Sequence, residues 1–576
     1  MNESQIRLIL FIVLLVIIVF IIVQWNTSLQ QNNPSNGNLF LQITVASGCS
    51  LQSMEELTIR VQSGSTVKNA LESARCEYVK TLIIELEGEG PYTLPSDFSF
   101  FPTSVKCENI IIRGDISGGV NDTIVATNPS GPFDSWLSLE ISNTLVSGDW
   151  ESGFVYNSTT KSYSVIDTND ANNVEVVNGN TSLFNQIYFG VDFQQFDGPD
   201  VLSVNDEIII YNPVTRVEFS SIIDISSDAH ITFERIIFQG DVDASLRSDK
   251  EITMIKGCRL NINSAADVDG SYGFLIGKFD LEGIYAYSDI QDAQINTASP
   301  DNSFHYRSLY TDGLKISCKS EASAYYIKMQ NPWRHCMLLV GGNLELVAAD
   351  LYGGINSAGW CTVLKCWELS NLSIGNSRLH YLGAGILSNS LLGLDSGSHA
   401  IIKNCSFYSD NQISNAIHLE ANCSARWFNT QSGNTDQGTY GCNTAVTITG
   451  NSLFDCVRPK EFEGITGHLY NISRNSKLIL INGGRVITNG TTTVAPINLS
   501  NNAQLEVFSN FLVYEADPGV PAIQILNSSG ATVSQFNIVN NIGSAELIVG
   551  ANGLTTYTSQ NDYAEVGTQN CYFTIY

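Results

Sequence analysis

The sequence predicts an all-β protein folded as a parallel solenoid, and two observations carry this prediction. Short apolar alternations, each followed by Asn or Gly and a second apolar pair, recur along the chain; examples start at residues 400, 446, 478, 505 and 531. Aligning these segments gives offsets of 46 (Ile402 to Ile448), 32 (Ile448 to Leu480) and 27 (Leu480 to Val507). Strands that repeat every 20 to 30 residues or so, without helices between them, are typical of solenoid coils.

Earlier segments follow the same pattern. Matching Phe233 to Met254 gives an offset of 21, and matching Leu346 to Leu369 gives 23. Each coil should contribute about three short strands, stacked on the next coil at roughly 4.8 Å. Asn and Gly are expected at the corners, where left-handed backbone is needed and Asn amides can form ladders. An array of β-sandwiches is the competing all-β architecture, but it leaves the stacked pattern unexplained.

The start of the folded region carries a family resemblance. A helix is predicted over residues 65–78, where Val67, Leu71 and Ala74 recur at helical spacing behind a Ser or Thr cap. The strand TLIIELEG, the turn Gly90-Pro91-Tyr92 and the strand ENIIIRGD follow. This opening resembles that of the right-handed parallel β-helix, or pectin-lyase-like, superfamily. The resemblance implies that the helix caps the first coil of a right-handed β-helix.

The domain organisation follows from where the repeat starts, stops and is interrupted. Residues 130–214 show hairpin signals and no coil register, which predicts an inserted β subdomain or a wide loop excursion. The predicted segments are a cytoplasmic tail (1–7), a transmembrane anchor (8–25), a flexible stalk (26–38), the cap and first coils (39–129), the insertion (130–214), the main β-helix (215–550) and a C-terminal cap (551–576).

The segment 8–25 predicts one transmembrane helix. Residues 8–23 are entirely apolar, and Arg7 and Trp25 flank them as interfacial anchors. No Lys or Arg then follows until Arg60, so the N-terminus is expected in the cytoplasm and the bulk outside it. The lipid bilayer is thus a predicted partner. A cleaved signal peptide is the alternative, although bulky Val23 and Trp25 stand where a cleavage site needs small residues.

Charge and cysteine content narrow the partner classes. Lys and Arg total 29 against 57 Asp and Glu, a net charge of −28, which disfavours nucleic acid as a partner. Thirteen cysteines without a CxxC pair predict no zinc module, and the sequence predicts no metal or cofactor. Disulfides and buried thiols in a ladder fit the coil-like cysteine spacing equally well. The disulfide candidates are Cys336, Cys361, Cys405, Cys423 and Cys442.

An extracytoplasmic location also permits N-glycosylation, although an Asn-rich chain produces such triplets by chance. The candidates are Asn121, Asn157, Asn180, Asn371, Asn404, Asn422, Asn471, Asn489, Asn498 and Asn527.

Catalytic candidates are weak. Asn434-Thr435-Asp436 and Gly467-His468 resemble elements of polygalacturonase-type hydrolases, but the Asp-Asp pair between them is missing and residue 469 is Leu. A carboxylate pair beside a cation can perform general acid and base chemistry. The densest ionisable group in the coil region is Asp436, Asp455, Arg458, Lys460 and His468.

Two sequence motifs are candidates for ligand binding. Trp333 and Trp360 lie 27 residues apart, one coil, and would form a platform for sugar rings if they are exposed; buried tryptophans would belong to the core. Arg113-Gly114-Asp115 has the form of an integrin-type tripeptide, but its Gly is also expected at a coil corner.

The sequence therefore favours a non-catalytic, membrane-anchored surface or structural protein that contacts proteins or glycans. The alternative is a membrane-tethered polysaccharide lyase or glycoside hydrolase, and an acidic surface is unfavourable for a uronate polymer. A cell surface, a lumen and a virion membrane all stay open as locations. A homo-oligomer, suggested by analogy with β-helical spikes, stays open as well.

Overall fold

The computed structural model describes residues within 54–575, all of which fall in one compact unit, Ile43–Tyr576. The predicted tail, anchor and stalk lie outside the described residues. Within the described part of the chain, no helix is long and apolar enough to cross a bilayer. The gaps are 64–66, 74–78, 95–107, 117, 130–133, 141–144, 149, 151–152, 178–201, 220–221, 225–228, 241–244, 263–274, 289–313, 317–320, 332–335, 354–361, 382–389, 429–438, 458–461, 482–484, 488–493, 515–522, 540–545, 550–563 and 567–571.

The described chain is almost entirely β structure. The first elements are β1 (Met54–Gln62), α1 (Val67–Ser73), β2 (Val79–Glu87), β3 (Tyr92–Thr93) and β4 (Asn109–Gly114). An inserted barrel contains β5 (Val120–Pro129), β6 (Asp134–Leu139), β7 (Phe154–Asn157), β8 (Tyr163–Asn169), β9 (Asn173–Val177) and β10 (Glu207–Tyr211).

The middle of the chain continues the solenoid. Its strands are β11 (Arg216–Phe219), β12 (Ile222–Asp224), β13 (His230–Glu234), β14 (Ile237–Gly240), β15 (Ser245–Ile262), β16 (Leu275–Ser288), β17 (Leu314–Ile316), β18 (Glu321–Asn331), β19 (Met337–Val340), β20 (Asn343–Gly353), β21 (Thr362–Trp367), β22 (Asn371–Gly375), β23 (Arg378–Tyr381), β24 (Ser390–Leu394) and β25 (His399–Lys403).

The last part has the same organisation. Its strands are β26 (Ser406–Leu419), β27 (Ser424–Phe428), β28 (Thr439–Ile448), β29 (Leu453–Val457), β30 (Phe462–Glu463), β31 (Tyr470–Ser473), β32 (Lys477–Ile481), β33 (Arg485–Ile487), β34 (Ile497–Ser500), β35 (Gln504–Tyr514), β36 (Ile523–Ile525), β37 (Gly530–Val539), β38 (Glu546–Val549), β39 (Ala564–Val566) and β40 (Tyr572–Ile575).

Strand pairing confirms the parallel β-helix pattern. Three parallel ladders run side by side, and the long strands β15, β16, β18, β20, β26, β28, β35 and β37 bend from one ladder into another. Ladder A passes through β1, β2, β4, β13, β15, β16, β18, β20, β22, β25, β27, β29, β32, β35, β37 and β40. Ladder B includes β3, β11, β14, β15, β16, β18, β20, β23, β26, β28 and β30. Ladder C includes β12, β15, β16, β17, β19, β21, β24, β26, β28, β31, β34, β36 and β39.

The core lies inside the coils, where alternate side chains of each strand point inward. In ladder A the column Ile374, Ile402, Trp427, Cys456 and Leu480 is at most 2% exposed. Stacking one inward side chain on the next buries a continuous apolar column, which is how a solenoid without interleaved helices stabilises itself.

The structure corrects part of the predicted register. Leu480 and Val507 are Cα partners in ladder A, as the offset of 27 predicts. Ile402, however, pairs with Trp427, and Ile448 belongs to ladder C. All three ladders carry the same apolar alternation, so an alignment by pattern alone joined strands from different ladders.

Asparagine side chains form a hydrogen-bonded stack at the corner that precedes ladder A. The side-chain amides of Asn422, Asn451, Asn475 and Asn502 are linked Nδ2 to Oδ1 at 3.3, 3.1 and 3.1 Å. All four residues have positive φ. After Gly, Asn is among the residues that best tolerate left-handed backbone. Its side-chain amide also forms a hydrogen bond with the equivalent Asn of the next coil.

The short helix α1 lies within the predicted helix 65–78. Val67, Ala70 and Leu71 are at most 5% exposed and belong to the same core as the first strands. Residues 74–78 lie outside the described residues, so the described helix is seven residues long.

The inserted subdomain is a closed barrel of β5 to β10 paired antiparallel. It starts ten residues before the predicted insertion, 130–214, and has its own core, including Ile124, Val155 and Ile208. Because the barrel interrupts the coil, Asn109 of β4 pairs with His230 of β13, 121 residues later in the chain.

The barrel is held against the β-helix by tyrosines and two cations. Tyr211 donates a hydrogen bond from its hydroxyl to the Gly257 carbonyl at 3.0 Å, and the Arg235 Nε donates to the Tyr163 hydroxyl at 3.1 Å. Lys328, with a side chain 4% exposed, forms an ion pair with Asp167 at 2.6 Å. These contacts fix the barrel beside ladder B.

Candidate glycan-contact face

Three rings stack along the outer side of ladder B, and we call them the ring stack: Tyr352, His380 and Tyr408. They occupy equivalent positions on β20, β23 and β26, each 28 residues from the next. Ring centroids are 4.5 Å apart between Tyr352 and His380 and 5.6 Å apart between His380 and Tyr408, with interplanar angles of 19° and 28°. Parallel register sets this spacing, because each strand places the same side-chain position one coil further along.

A buried carboxylate orients the middle of the ring stack. Asp350 is 1% exposed, and its oxygens lie 2.9 Å from Arg378 Nη2 and 3.3 Å from His380 Nε2. Burial alone would raise the pKa of Asp350, but the contact with His380 and the Arg378 charge outweigh it and lower the pKa to about 2. Asp350 is therefore an anion over the ordinary pH range, suited to holding the imidazole in place.

The two ends of the ring stack differ. Near Tyr352, Lys328 Nζ lies 5.8 Å from the ring centroid and is itself paired with Asp167 of the barrel. Burial and the nearby Asp350 charge raise the pKa of Tyr352. Tyr408, in contrast, is 44% exposed. The barrel side of the ring stack is thus enclosed, and the Tyr408 side is open to a ligand.

The predicted catalytic group is only partly within the described residues. Asp436, Arg458 and Lys460 lie outside them. Asp455 faces outward on ladder A, where the Arg426 Nε and Nη2 donate to its Oδ2 at 3.0 and 2.7 Å. His468 precedes β31 of ladder C and has Nδ1 at 2.6 Å from the Ala495 carbonyl. Asp455 and His468 therefore lie on different ladders, and the interactions described for each are with other residues.

The tryptophan platform is not tested, because Trp333 and Trp360 lie outside the described residues. Trp367, in the same stretch of sequence, is 41% exposed at the end of β21 and donates from Nε1 to the Ser396 hydroxyl at 3.1 Å. In the tripeptide 113–115, the Arg113 guanidinium is paired with Glu85 and the Gly ends β4.

Four of the disulfide candidates are described, and each has a buried side chain: Cys336, Cys405, Cys423 and Cys442. The Sγ atoms of Cys405 and Cys423 donate to carbonyls of nearby residues, at 3.2 Å to Lys403 and 2.9 Å to Glu420. Burial raises the pKa of the Cys405 thiol to about 12. Cys361 lies outside the described residues.

The glycosylation candidates occupy different environments. Asn157 and Asn404 are at most 2% exposed, and Asn180 and Asn489 lie outside the described residues. Asn471 and Asn498 are half-buried, while the other four candidates are exposed: Asn121, Asn371, Asn422 and Asn527. A glycan is attached through Nδ2 of the amide. In the folded chain this nitrogen donates a hydrogen bond in Asn157, Asn371, Asn498 and Asn527.

Sequence reasoning missed the ring stack, although a signal for it was present. Tyr352, His380 and Tyr408 recur at a constant spacing of 28 residues, one coil, in three successive coils. A search for repeated ring-bearing residues at the coil period, rather than for tryptophans, finds them. The role of Asp350 carries no such signal, because it depends on which side chains the next coil places beside it.

Fold and site together define a parallel β-helix protein with an inserted antiparallel barrel and a ring stack on one outer face. No protein-family model matches the chain, and no curated protein matches it in sequence. Solved structures align with it at low similarity, among them two whose alignments cover most of this chain. The tailspike protein gp49 from Pseudomonas phage LKA1 is 10% identical, with a TM-score of 0.20, and the alignment covers 84% of this chain and 72% of that chain.

The second solved structure is XylC in complex with xylose. It is 10% identical with a TM-score of 0.21, and the alignment covers 90% of this chain and 82% of that chain. The assignment of the fold rests on the strand pairing of this chain.

Proposed function

We propose that this chain is a non-catalytic surface protein that contacts glycans through the open end of the ring stack. The observation that carries the proposal is the ring of Tyr408, which is 44% exposed. The neighbouring ring, His380, lies 3.3 Å from the buried carboxylate of Asp350. An aromatic ring offers an apolar face and a polar hydroxyl together, which suits a sugar with both kinds of surface. A contact site held by neighbouring side chains loses little entropy on binding.

The ion pairs beneath the ring stack favour binding over catalysis. Asp350, with its pKa lowered to about 2, is not a proton donor near neutral pH, and its oxygens face the Arg378 guanidinium and the His380 imidazole. Asp167, the other carboxylate near Tyr352, is paired with Lys328. These carboxylates are placed to hold the rings and the barrel, and a hydrolase would need one of them to release or accept a proton.

The proposal includes a location. Residues 8–25 would anchor the chain in a bilayer, with the N-terminus in the cytoplasm and the β-helix outside, and α1 would cap the first coil. A membrane-bound chain of this topology loses only residues 1–7 to protease added on the cytoplasmic side. Cleavage within the β-helix by that protease would contradict the topology.

The glycan contact is tested with the full chain in detergent on a glycan array. Replacing Tyr408 by alanine should lower binding about fivefold, since a stacked ring at a contact site is worth about 1 kcal/mol. Phe508→Ala is the matched control, because Phe508 is similarly exposed, at 48%, but lies on ladder A. Equal losses in both variants, or no glycan binding by the unmodified chain, would refute the proposal.

A further inference from the structure

A cavity of about 400 Å³ lies where the first coils meet the barrel, on strands other than those of the ring stack. Its wall includes β1, β2 and β4 of ladder A and Ile116, just before the barrel. Six charged side chains line it: Arg60, Glu85, Glu87, Arg113, Asp115 and Arg235. A water-accessible cavity with both donors and acceptors on its wall has the composition of a site for a polar ligand.

Two of the three arginines are already occupied by carboxylates. Glu85 receives the Arg60 Nε at 3.1 Å on Oε2, and its Oε1 is paired with Arg113. Arg60 also lies 3.7 Å from Glu87. The charges of Arg60, Arg113 and Glu85 therefore largely neutralise one another.

Arg235 is different. It is 9% exposed, and its guanidinium donates from Nε to the Tyr163 hydroxyl and stacks on the Tyr156 ring, with Cζ 4.7 Å from the centroid. Among the ion pairs of the described residues, none involves the Arg235 guanidinium. Of the three arginines that line the cavity, Arg235 is thus the one for which no ion pair with a carboxylate is described.

Arg235 lies at a corner of the coil. Arg235 has a φ of 59°, in the left-handed region, at a corner where the adjacent coils carry Gly114 and Gly257. Residues other than Gly, Asn and Asp are disfavoured in this conformation. The planar end of the Arg235 side chain is held by two tyrosines of the barrel, Tyr163 and Tyr156.

We propose that the cavity binds a small oxyanion that also carries hydroxyl groups, and that Arg235 receives its carboxylate or phosphate. The planar guanidinium can donate two parallel hydrogen bonds to either group. Glu87 and Asp115 face the same cavity and can accept hydrogen bonds from the hydroxyls. The proposal is independent of the ring stack and of the proposed glycan contact.

Calorimetric titration of the full chain in detergent tests it with glucuronate, glucose 6-phosphate and glucose, which share a pyranose ring and differ at C6. Glucuronate should bind if the site prefers a carboxylate, and glucose 6-phosphate should bind if it prefers a phosphate. Glucose, which carries neither group, should bind at least about tenfold more weakly than the preferred anion. Arg235→Gln should abolish the preference for the anion. Tyr163→Phe, which removes only the hydroxyl partner, should retain most of it.

A second variant guards against misfolding of Arg235→Gln, which thermal unfolding would reveal. Glu87→Gln removes a half-exposed negative charge from the wall and should strengthen binding of the anionic sugars about threefold relative to glucose. Equal binding of glucose and the anionic sugars would overturn the proposal. So would a lack of binding by all three, or a folded Arg235→Gln variant with unchanged affinity.

Discussion

Replacing Asp350 by asparagine should destabilise ladder B by about 3 kcal/mol, because it leaves the Arg378 guanidinium beside a buried position that no longer carries a negative charge. Asp350 is 1% exposed and lies 2.9 Å from Arg378 and 3.3 Å from His380, so the substitution also releases the ring stack. Hydrogen exchange of β20 and β23 is the appropriate measurement, since a solenoid need not unfold in one step. Faster exchange confined to these strands and their neighbours is expected.

The matched control is Asp395→Asn. Asp395 pairs with Lys365 at 3.5 Å, and both side chains are about a quarter exposed, so this pair should contribute at most about 1 kcal/mol. Similar exchange rates in the two variants would mean that the buried Asp350 contacts stabilise the fold no more than the partly exposed Asp395–Lys365 pair does.

The stability that Asp350 contributes should decrease as the pH is lowered. Its pKa is lowered to about 2 in the folded chain, against an ordinary value of about 3.9 when unfolded. The stability that the ionised carboxylate contributes, on the order of 3 kcal/mol, is complete above about pH 5 and is lost as the pH falls toward 2. The parent chain and Asp350→Asn should therefore converge in stability at acid pH. A difference that widens on acidification would contradict the assignment.

Gly257→Ala should loosen the barrel from the β-helix, with a cost of about 3 to 5 kcal/mol. A Cβ at this position would lie 2.2 Å from the Tyr211 hydroxyl oxygen and 2.3 Å from Tyr163 Cδ1, both in rings that dock the barrel. Gly257 also has a φ of 57°, a conformation that disfavours alanine. The clash and the backbone cost add to each other. Thermal unfolding and hydrogen exchange of β8 and β10 should both show the effect.

Gly88→Ala separates the cost of the left-handed backbone from the cost of the steric clash. Gly88 has a φ of 83°, and no atom lies within 4 Å of the position of an added Cβ, so only the backbone cost, about 1 to 2 kcal/mol, is expected. If the two alanine variants were equally stable, the tyrosine contacts at Gly257 would not be holding the barrel.

The sequence predicts those features of the fold that depend on local pattern. The coil period, the corner asparagines and the interruption after β4 are visible because each coil repeats the same alternation. The register is harder to predict: Phe233 pairs with Ile255 rather than with Met254, one residue away. A one-residue error of this kind reverses which side chains face the core.

The candidate sites depend on contacts that no local pattern encodes. Arg235 reaches Tyr163, and Lys328 reaches Asp167, across 72 and 161 residues. Such pairs exist because the chain leaves the coil for a barrel and returns to pair β13 with β4. Only the folded structure brings them together.

Zero-length carbodiimide cross-linking of the native chain tests the stacked coils most directly. Lys477 Nζ lies 2.8 Å from Glu506 Oε1 because β32 and β35 are adjacent rungs of ladder A. Mass spectrometry should recover the peptide that joins Lys477 to Glu506. Recovery of Lys477 joined instead to carboxylates on strands not adjacent to β32 in ladder A would contradict the parallel β-helix.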